Sequence, residues 1–470
     1  MKQMKGSVFR KKSIQDLLAA TGGEKSLKRE LGAFDLTLLG IGAIIGTGIF
    51  VLTGTGAVTA GPGLTVSFVI AALACLFAAL SYAEFASSVP VSGSVYTFTY
   101  ATLGELLAFI IGWDLILEYM LAVSAVSVGW SGYFQSFLAG FGIHLPTALT
   151  AAPGSIKGTV TFFNLPAFVI VLAITFLLYL GIRESKRVNN IMVILKVLVV
   201  LLFIAVAAVY VKPHNWQPFI PMGFGGVFSA AALVFFSFIG FDAVSSAAEE
   251  TKNPAKDLPK GIIFSLIVCT VLYVTVSAIM TGVVPFARFE GVDHPVSLVL
   301  QMAGQNWVAG IIDIGAVLGM TTVMLVMLYG QTRVMFAMSR DGLVPGALSK
   351  VHPKHKTPHV VTWVFGILSA LLGSLVPLDE LAKLVNIGTL AAFVLISVAV
   401  IVLRKKQPDL PRAFKCPGVP FIPILSILFC VFLIINLGAT TIFRFFIWLI
   451  IGLVIYFLYS RKHSKLNGDL

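Results

Sequence analysis

The stretch Leu39-Gly-Ile-Gly-Ala-Ile-Ile-Gly-Thr-Gly-Ile-Phe50 decides how this chain is read. It lies in an apolar run yet carries Gly40, Gly42, Gly46 and Gly48. Each glycine inside a helix costs about 1 kcal/mol relative to alanine. One account is close helix packing, with Gly42 and Gly46 at small-xxx-small spacing. Gly46 and Gly48, however, fall on nearly opposite faces, so packing does not need both. The other account is a helix broken at mid-depth, whose freed amides and carbonyls line a binding cavity. A partner break lies in Leu233-Val-Phe-Phe236-Ser-Phe-Ile-Gly240-Phe-Asp242, where Gly240 and Asp242 interrupt another apolar run. Paired breaks at corresponding positions of inverted repeats point to a transporter's substrate site.

Composition sets the environment of both breaks. Charged residues make up 11% of the 470 and apolar ones 58%, against about 25% charged in soluble proteins. So little polar side chain excludes a soluble enzyme, a nucleic-acid binder or a disordered scaffold. Apolar runs at 36–58, 64–88, 99–136, 163–182, 189–211, 226–250, 260–284, 305–337, 359–376, 379–403, 421–438 and 441–459 predict twelve transmembrane helices. With a cytoplasmic N-terminus, 27 of the 33 basic residues fall inside and five outside, and Lys196 lies within a span. This positive-inside bias predicts that both termini are cytoplasmic, in a cell (plasma) membrane protein, with attraction to anionic lipid headgroups besides.

The expected fold class is therefore an all-α polytopic membrane protein. Helices 1 and 6 open the halves of a five-plus-five arrangement, and because five is odd the second half enters from the opposite side. The expected organisation is a cytoplasmic segment 1–35, repeats 36–211 and 226–403, helices 11 and 12 at 421–459 and a tail 460–470. Helices 11 and 12 fall outside the repeat, and scaffold packing, lipid contact and a dimer interface are all open to them. Ser13–Thr21 reads as a short amphipathic helix on the inner surface.

The glycine motif resembles the first-helix signature of the amino acid–polyamine–organocation superfamily. Ser81-Tyr-Ala-Glu-Phe-Ala86, Pro90-Val-Ser-Gly-Ser-Val-Tyr96, Gly104-Glu105, Gly112-Trp-Asp-Leu-Ile-Leu-Glu-Tyr119, Glu249-Glu-Thr-Lys-Asn-Pro254 and Asp257-Leu-Pro259 resemble its cationic amino acid transporter family. Mammalian members usually have fourteen helices, so twelve fits a bacterial-type relative. The resemblance implies a five-plus-five inverted repeat with helices 1 and 6 unwound. It implies that the amides of Thr47 and Gly48 receive an amino acid carboxylate at a positive half-helix end. The carbonyls of Ile44, Phe236 and Ile239 then accept from the α-ammonium, with Phe236 as an aromatic gate. Gly42, Gly46 and Gly240 mark the breaks.

Lys196 lies in Ile194-Leu-Lys-Val-Leu-Val-Val200, about 10 Å deep at 1.5 Å per residue from the Asn189-Asn190 end. It either snorkels toward the interface or faces the bundle interior with a partner. By analogy with proton-coupled relatives, its ammonium would contact carbonyls near Gly42 and Ile45 and approach helix 8. There Thr321 or Thr322 either supplies a hydroxyl or bonds its own helix. Loss of the proton would then loosen helix 1 against helices 5 and 8. Glu118, four residues after Asp114, aligns close to the pocket, where it receives a cationic side chain, moves a proton or simply bonds a neighbouring helix. Asp242 reads as a cap on freed amides, and Glu84, Glu249 and Glu250 as inner-gate ion pairs. The resemblance also implies that Met324 and Met327 of helix 8 lie on the substrate side, where relatives that carry arginine or lysine have small or hydroxyl residues near Met327; a methionine there shortens the pocket and, with the Lys196 charge, favours small neutral amino acids such as alanine.

No P-loop, HExxH, nucleophile elbow or dinucleotide fingerprint appears, so no enzyme is expected. The scattered histidines imply no metal site, and the four cysteines read as free thiols. No cofactor is expected, and without an ATP site a proton gradient is the driving force. The expected partners are an L-amino acid, protons and membrane lipids, with no nucleic acid; an accessory membrane subunit or dimer is not readable. Proton symport competes with amino acid exchange and cationic amino acid uptake, and more remotely with a channel or a membrane-embedded enzyme.

Overall fold

The computed structural model describes residues 10–12, 31–88, 94–156, 158–181, 186–242, 244, 247, 250–406, 408, 412 and 414–467. The Ser13–Thr21 segment, Glu249 and residues 90–93 of the Pro90–Tyr96 motif lie outside them.

In a bilayer core no water satisfies backbone groups, so spanning segments become helices. In chain order the α-helices are α1 (Ala33–Ile44), α2 (Thr53–Ala60), α3 (Leu64–Ser88), α4 (Ser94–Thr102) and α5 (Glu105–Ala139). Next come α6 (Leu165–Tyr179), α7 (Lys186–Ala207), α8 (Gly223–Val234), α9 (Pro254–Val283) and α10 (Pro295–Met302). The series ends with α11 (Asn306–Arg340), α12 (His359–Leu375), α13 (Leu378–Lys406), α14 (Phe421–Asn436) and α15 (Ala439–Ile455). Among the described residues, seven helical segments are long and apolar enough to cross a membrane, and five shorter apolar helices accompany them.

Burial sorts the helices into an interior and a rim. The apolar window of α5 is 72% buried, whereas that of the last segment is 22% buried. Accordingly α5 packs against α11, α13 and α12, while α9 packs against α3 and α1. Leu198, Val271, Leu428 and Ile450 point outward and are exposed. In water such a surface would aggregate; in lipid it is the contact belt. This is a multi-pass membrane protein.

The last two helices are fastened to this interior. Trp113 of α5 and Trp448 of α15 stack with centroids 4.4 Å apart. Each indole N–H donates to the other's carbonyl, at 2.9 and 3.3 Å. α14 packs on α13 and α3, with Ser397 donating to Ser426 at 2.9 Å.

One sequence expectation needs correction. The run 99–136 is not one helix: α4 ends at Thr102, and the chain turns at Gly104, whose φ is 105°. The turn seats the buried Glu105 carboxylate among Arg10 (2.9 Å), Tyr100 (2.9 Å), Tyr456 (3.1 Å) and Ser464 (2.6 Å). A buried charge needs such partners, and hydropathy does not register them. Within the run 226–250, α8 gives way to a 3-10 turn over Phe235–Phe238, just ahead of the expected break at Gly240.

On the same face Glu84 receives Arg404 at 3.0 and 2.7 Å and the Cys416 amide at 2.7 Å. That pair ties α3 to α13. All four cysteines are free and buried.

Candidate functional site

The first break begins where α1 ends at Ile44. Ile45 is extended (φ −73°, ψ 106°), and the chain recoils as a π-turn over Gly48–Leu52. In an intact helix the Gly42 carbonyl would accept from the amide of residue 46, and that of Ile44 from residue 48. The break frees both acceptors inside an apolar bundle, where each needs another donor.

Lys196 supplies one of them. A Cβ on Gly42 would sit 2.4 Å from Val193 Cγ2, so the glycine lets α7 approach α1 closely. Three residues along α7, the Lys196 ammonium, 1% exposed, donates to the Gly42 carbonyl at 2.8 Å. Its methylenes pass Gly319 of α11, where a Cβ would lie 3.3 Å from them. The side chain therefore turns into the bundle rather than toward the interface. Thr321 and Thr322 donate to Val317 and Gly319 of their own helix, each at 2.8 Å. Thr321 also accepts from the Trp130 indole at 3.0 Å. Lys196 thus bonds Gly42, and Ile45 is the extended residue that ends the helix.

The second break follows the Phe235–Phe238 turn. Ile239 is extended (φ −64°, ψ 137°), and Gly240 has φ 116°. That angle favours glycine, and a Cβ there would lie 2.8 Å from the Ala43 carbonyl oxygen. The two breaks also touch directly, because a Cβ on Gly48 would sit 2.3 Å from Ser237 Cα. Gly46 faces Val323 of α11 with more room, at 3.2 Å.

The structure thus brings Ile44, Thr47, Gly48 and Ile45 beside Ser237, Gly240 and α11. Thr47 Oγ1 lies 3.4 Å from Met320 Sδ. Phe236, Ile239, Met324 and Met327 are all buried. The Phe236 carbonyl accepts from the Ile239 amide at 3.2 Å. Glu118 is buried on α5 near Asp114 and Asp242, with Thr389 of α13 in reach. The Asp114 carboxylate backs onto Gly388, where a Cβ would lie 2.7 Å from Oδ1.

Four residues at the breaks escaped sequence reasoning. The Tyr273 hydroxyl of α9 donates to both the Ile44 (3.0 Å) and Ser237 (2.9 Å) carbonyls, bridging the breaks. Asn386 of α13 donates to the Ala232 and Leu233 carbonyls at 2.7 and 2.8 Å. Tyr133 of α5 donates to the Phe50 carbonyl within the π-turn. Ser237 Oγ, buried against Gly48, has no hydrogen-bond partner. The available signal was a lone phenol or amide inside an apolar run, since such groups take partners when buried.

Two helix breaks that meet inside an apolar bundle are the arrangement that marks a transporter's substrate site. Comparison with known proteins agrees. An amino acid permease family model matches residues 31–459. The chain is 91% identical over 464 residues to the branched-chain amino acid permease BcaP of Bacillus subtilis (strain 168), covering 99% of this chain and all of that protein. It is 57% identical over 462 residues to the methylthioribose transporter of the same organism, covering 98% and 99%. Cationic amino acid transporter 9, chloroplastic, of Arabidopsis thaliana is 34% identical over 534 residues, covering 98% and 93%. These relatives are transporters rather than enzymes, and the chain belongs to the amino acid permease family.

Proposed function

We propose that this protein imports branched-chain aliphatic L-amino acids by proton-coupled symport. In this reading twelve helices form a five-plus-five inverted repeat and both termini are cytoplasmic. Alternating access exposes the junction of the breaks to each side in turn. The amides of Thr47 and Gly48 hold the carboxylate, and carbonyls freed at the breaks take the ammonium. Met324 and Met327 supply a flexible apolar wall that fits branched side chains. The 91% identity to a branched-chain amino acid permease supports this substrate class. Alanine, favoured by the sequence alone, is its direct competitor.

The observation that carries the coupling is the Lys196–Gly42 hydrogen bond. A charge-assisted bond is roughly twice as strong as a neutral one. Losing the proton weakens the link between α7 and α1 at the residue where α1 begins to break. Proton release and movement of the broken helix are thereby tied together.

The 57% identity to a methylthioribose transporter favours a second reading, in which the same freed groups bind sugar hydroxyls. One assay separates these readings: uptake of labelled leucine, alanine, arginine and methylthioribose into proteoliposomes, with and without an inward proton gradient. Gradient-driven accumulation of leucine above the other three is expected. Uptake only into vesicles preloaded with amino acid would replace symport by exchange. Preference for methylthioribose would replace the substrate class.

A further inference from the structure

Away from the breaks, a cavity of about 200 Å³ opens on the basic face between the ends of α6, α11 and α12. Its lining includes Arg333, Lys356, Tyr329, Phe336, Val351 and Leu178. Among the described residues no acidic side chain lines it, and neither cation is in an ion pair. Arg333 lies against Tyr329, hydrogen-bonded to its hydroxyl and 4.8 Å from the ring centroid. Lys356 is the described non-glycine residue with positive φ, at 56°. Bonds from its amide to the His352 carbonyl (2.9 Å) and from the His352 amide to the Thr357 carbonyl (2.8 Å) hold that turn. A lysine kept in a sparsely populated conformation at a pocket edge is a reason to look for a ligand.

The depth of the cavity narrows the choice. Arg333 sits seven residues before the end of α11, about 10 Å along the axis. Tyr179 and Trp363 pack beside it with centroids 6.1 Å apart, and such residues concentrate at the membrane–water interface. Phe176 and Leu177 of α6, with Val364 and Ile367 of α12, continue from there as exposed apolar surface. The volume is below the 300–1,000 Å³ that encloses drug-sized ligands. It suits a headgroup whose acyl chains lie outside. Basic pockets between transmembrane helices on the cytoplasmic side bind anionic headgroups.

We infer that this cavity is a binding site for the phosphate headgroup of an anionic phospholipid, held by Arg333 and Lys356 with its acyl chains along α6 and α12. The inference does not depend on which solute is transported.

Native mass spectrometry of the detergent-purified full chain, titrated with phosphatidylglycerol or phosphatidylcholine, tests it. Wild type should retain phosphatidylglycerol preferentially. Arg333→Gln with Lys356→Gln should weaken that retention about tenfold or more, since each basic contact contributes about 1 kcal/mol near an anionic surface. Lys415→Gln, which removes a charge from the same face outside the cavity, should change it little. Each single variant is read beside the double one, with thermal unfolding in the same detergent, so a misfolded double variant does not decide the outcome. Equal retention by folded variants, or an equal loss in Lys415→Gln, would overturn the site. Displacement of the lipid by millimolar inorganic phosphate would assign the site to a free anion and overturn the lipid.

Discussion

The two breaks solve the same problem with different chemistry. At the first, an ammonium from α7 satisfies the Gly42 carbonyl at 2.8 Å. At the second, the amide of Asn386 on α13 satisfies the Ala232 and Leu233 carbonyls at 2.7 and 2.8 Å. Both donors reach in from neighbouring helices, and both replace bonds that a continuous helix would make for itself. Only the first is ionisable. A proton can therefore change how tightly α1 is held, whereas the hold on the α8 end is indifferent to charge. Tyr273 stands between them, one hydroxyl shared by carbonyls from each break.

Removing the ionisable stitch gives the largest expected effect. Lys196→Met should cut gradient-driven leucine uptake in proteoliposomes roughly 5- to 100-fold, because a buried carbonyl left unpaired costs about 1–3 kcal/mol and 1.4 kcal/mol is tenfold. Accumulation at the wild-type level would erase the distinction between the breaks. Next comes the point where they touch. Gly48→Ala places a Cβ 2.3 Å from Ser237 Cα, against backbone that a rotamer change cannot move aside. Gly46→Ala meets only Val323 Cγ2 at 3.2 Å. Overpacking costs about 1–3 kcal/mol, so uptake should fall roughly tenfold in the first variant and far less in the second. Equal losses would mean that the contact between the breaks is incidental.

Sequence reasoning reached these features unevenly. Glycines and a lysine in apolar runs stand out because each is costly there, so the breaks and Lys196 were legible. Tyr273 and Asn386 were not, since one phenol or amide among many apolar residues has no periodicity, and the carbonyls it serves lie far away in sequence. The turn at Gly104 was hidden for a related reason. Apolar residues on both sides merged 99–136 into one run, while the cause of the turn, Glu105 held by Arg10, Tyr456 and Ser464, is assembled from both ends of the chain. Hydropathy measures the solvent a segment prefers. It carries no information on which polar groups meet.

Tyr273→Phe sharpens the comparison by removing the donor that the breaks share. A net hydrogen bond is worth about 0.5–1.5 kcal/mol, and the lost hydroxyl leaves two acceptors with one donor fewer. Uptake should fall about 3–10-fold with its proton dependence intact, measured as the ratio of leucine uptake with and without the gradient. Loss of that ratio would move part of the coupling onto α9.

Asn386→Ala should have the smallest effect on coupling, and the reason is positional. Its amide binds the last turn of α8, before the Phe235–Phe238 turn and away from Lys196. The substitution removes two hydrogen bonds and leaves a small void, so thermal stability in detergent should drop by about 1–3 kcal/mol. The Asn386 amide is neutral at any working pH, and Phe236 and Ile239 stay attached to the same turn. Uptake should therefore stay within about threefold of wild type at saturating leucine, with the gradient ratio unchanged. A variant that stays folded and transports leucine but no longer responds to the gradient would show that the second break also senses the proton. The contrast between an ionisable and a neutral stitch would then lose its mechanistic meaning, and attention would shift to Glu118, Asp114 and Asp242, the carboxyl groups gathered between α5 and the second break.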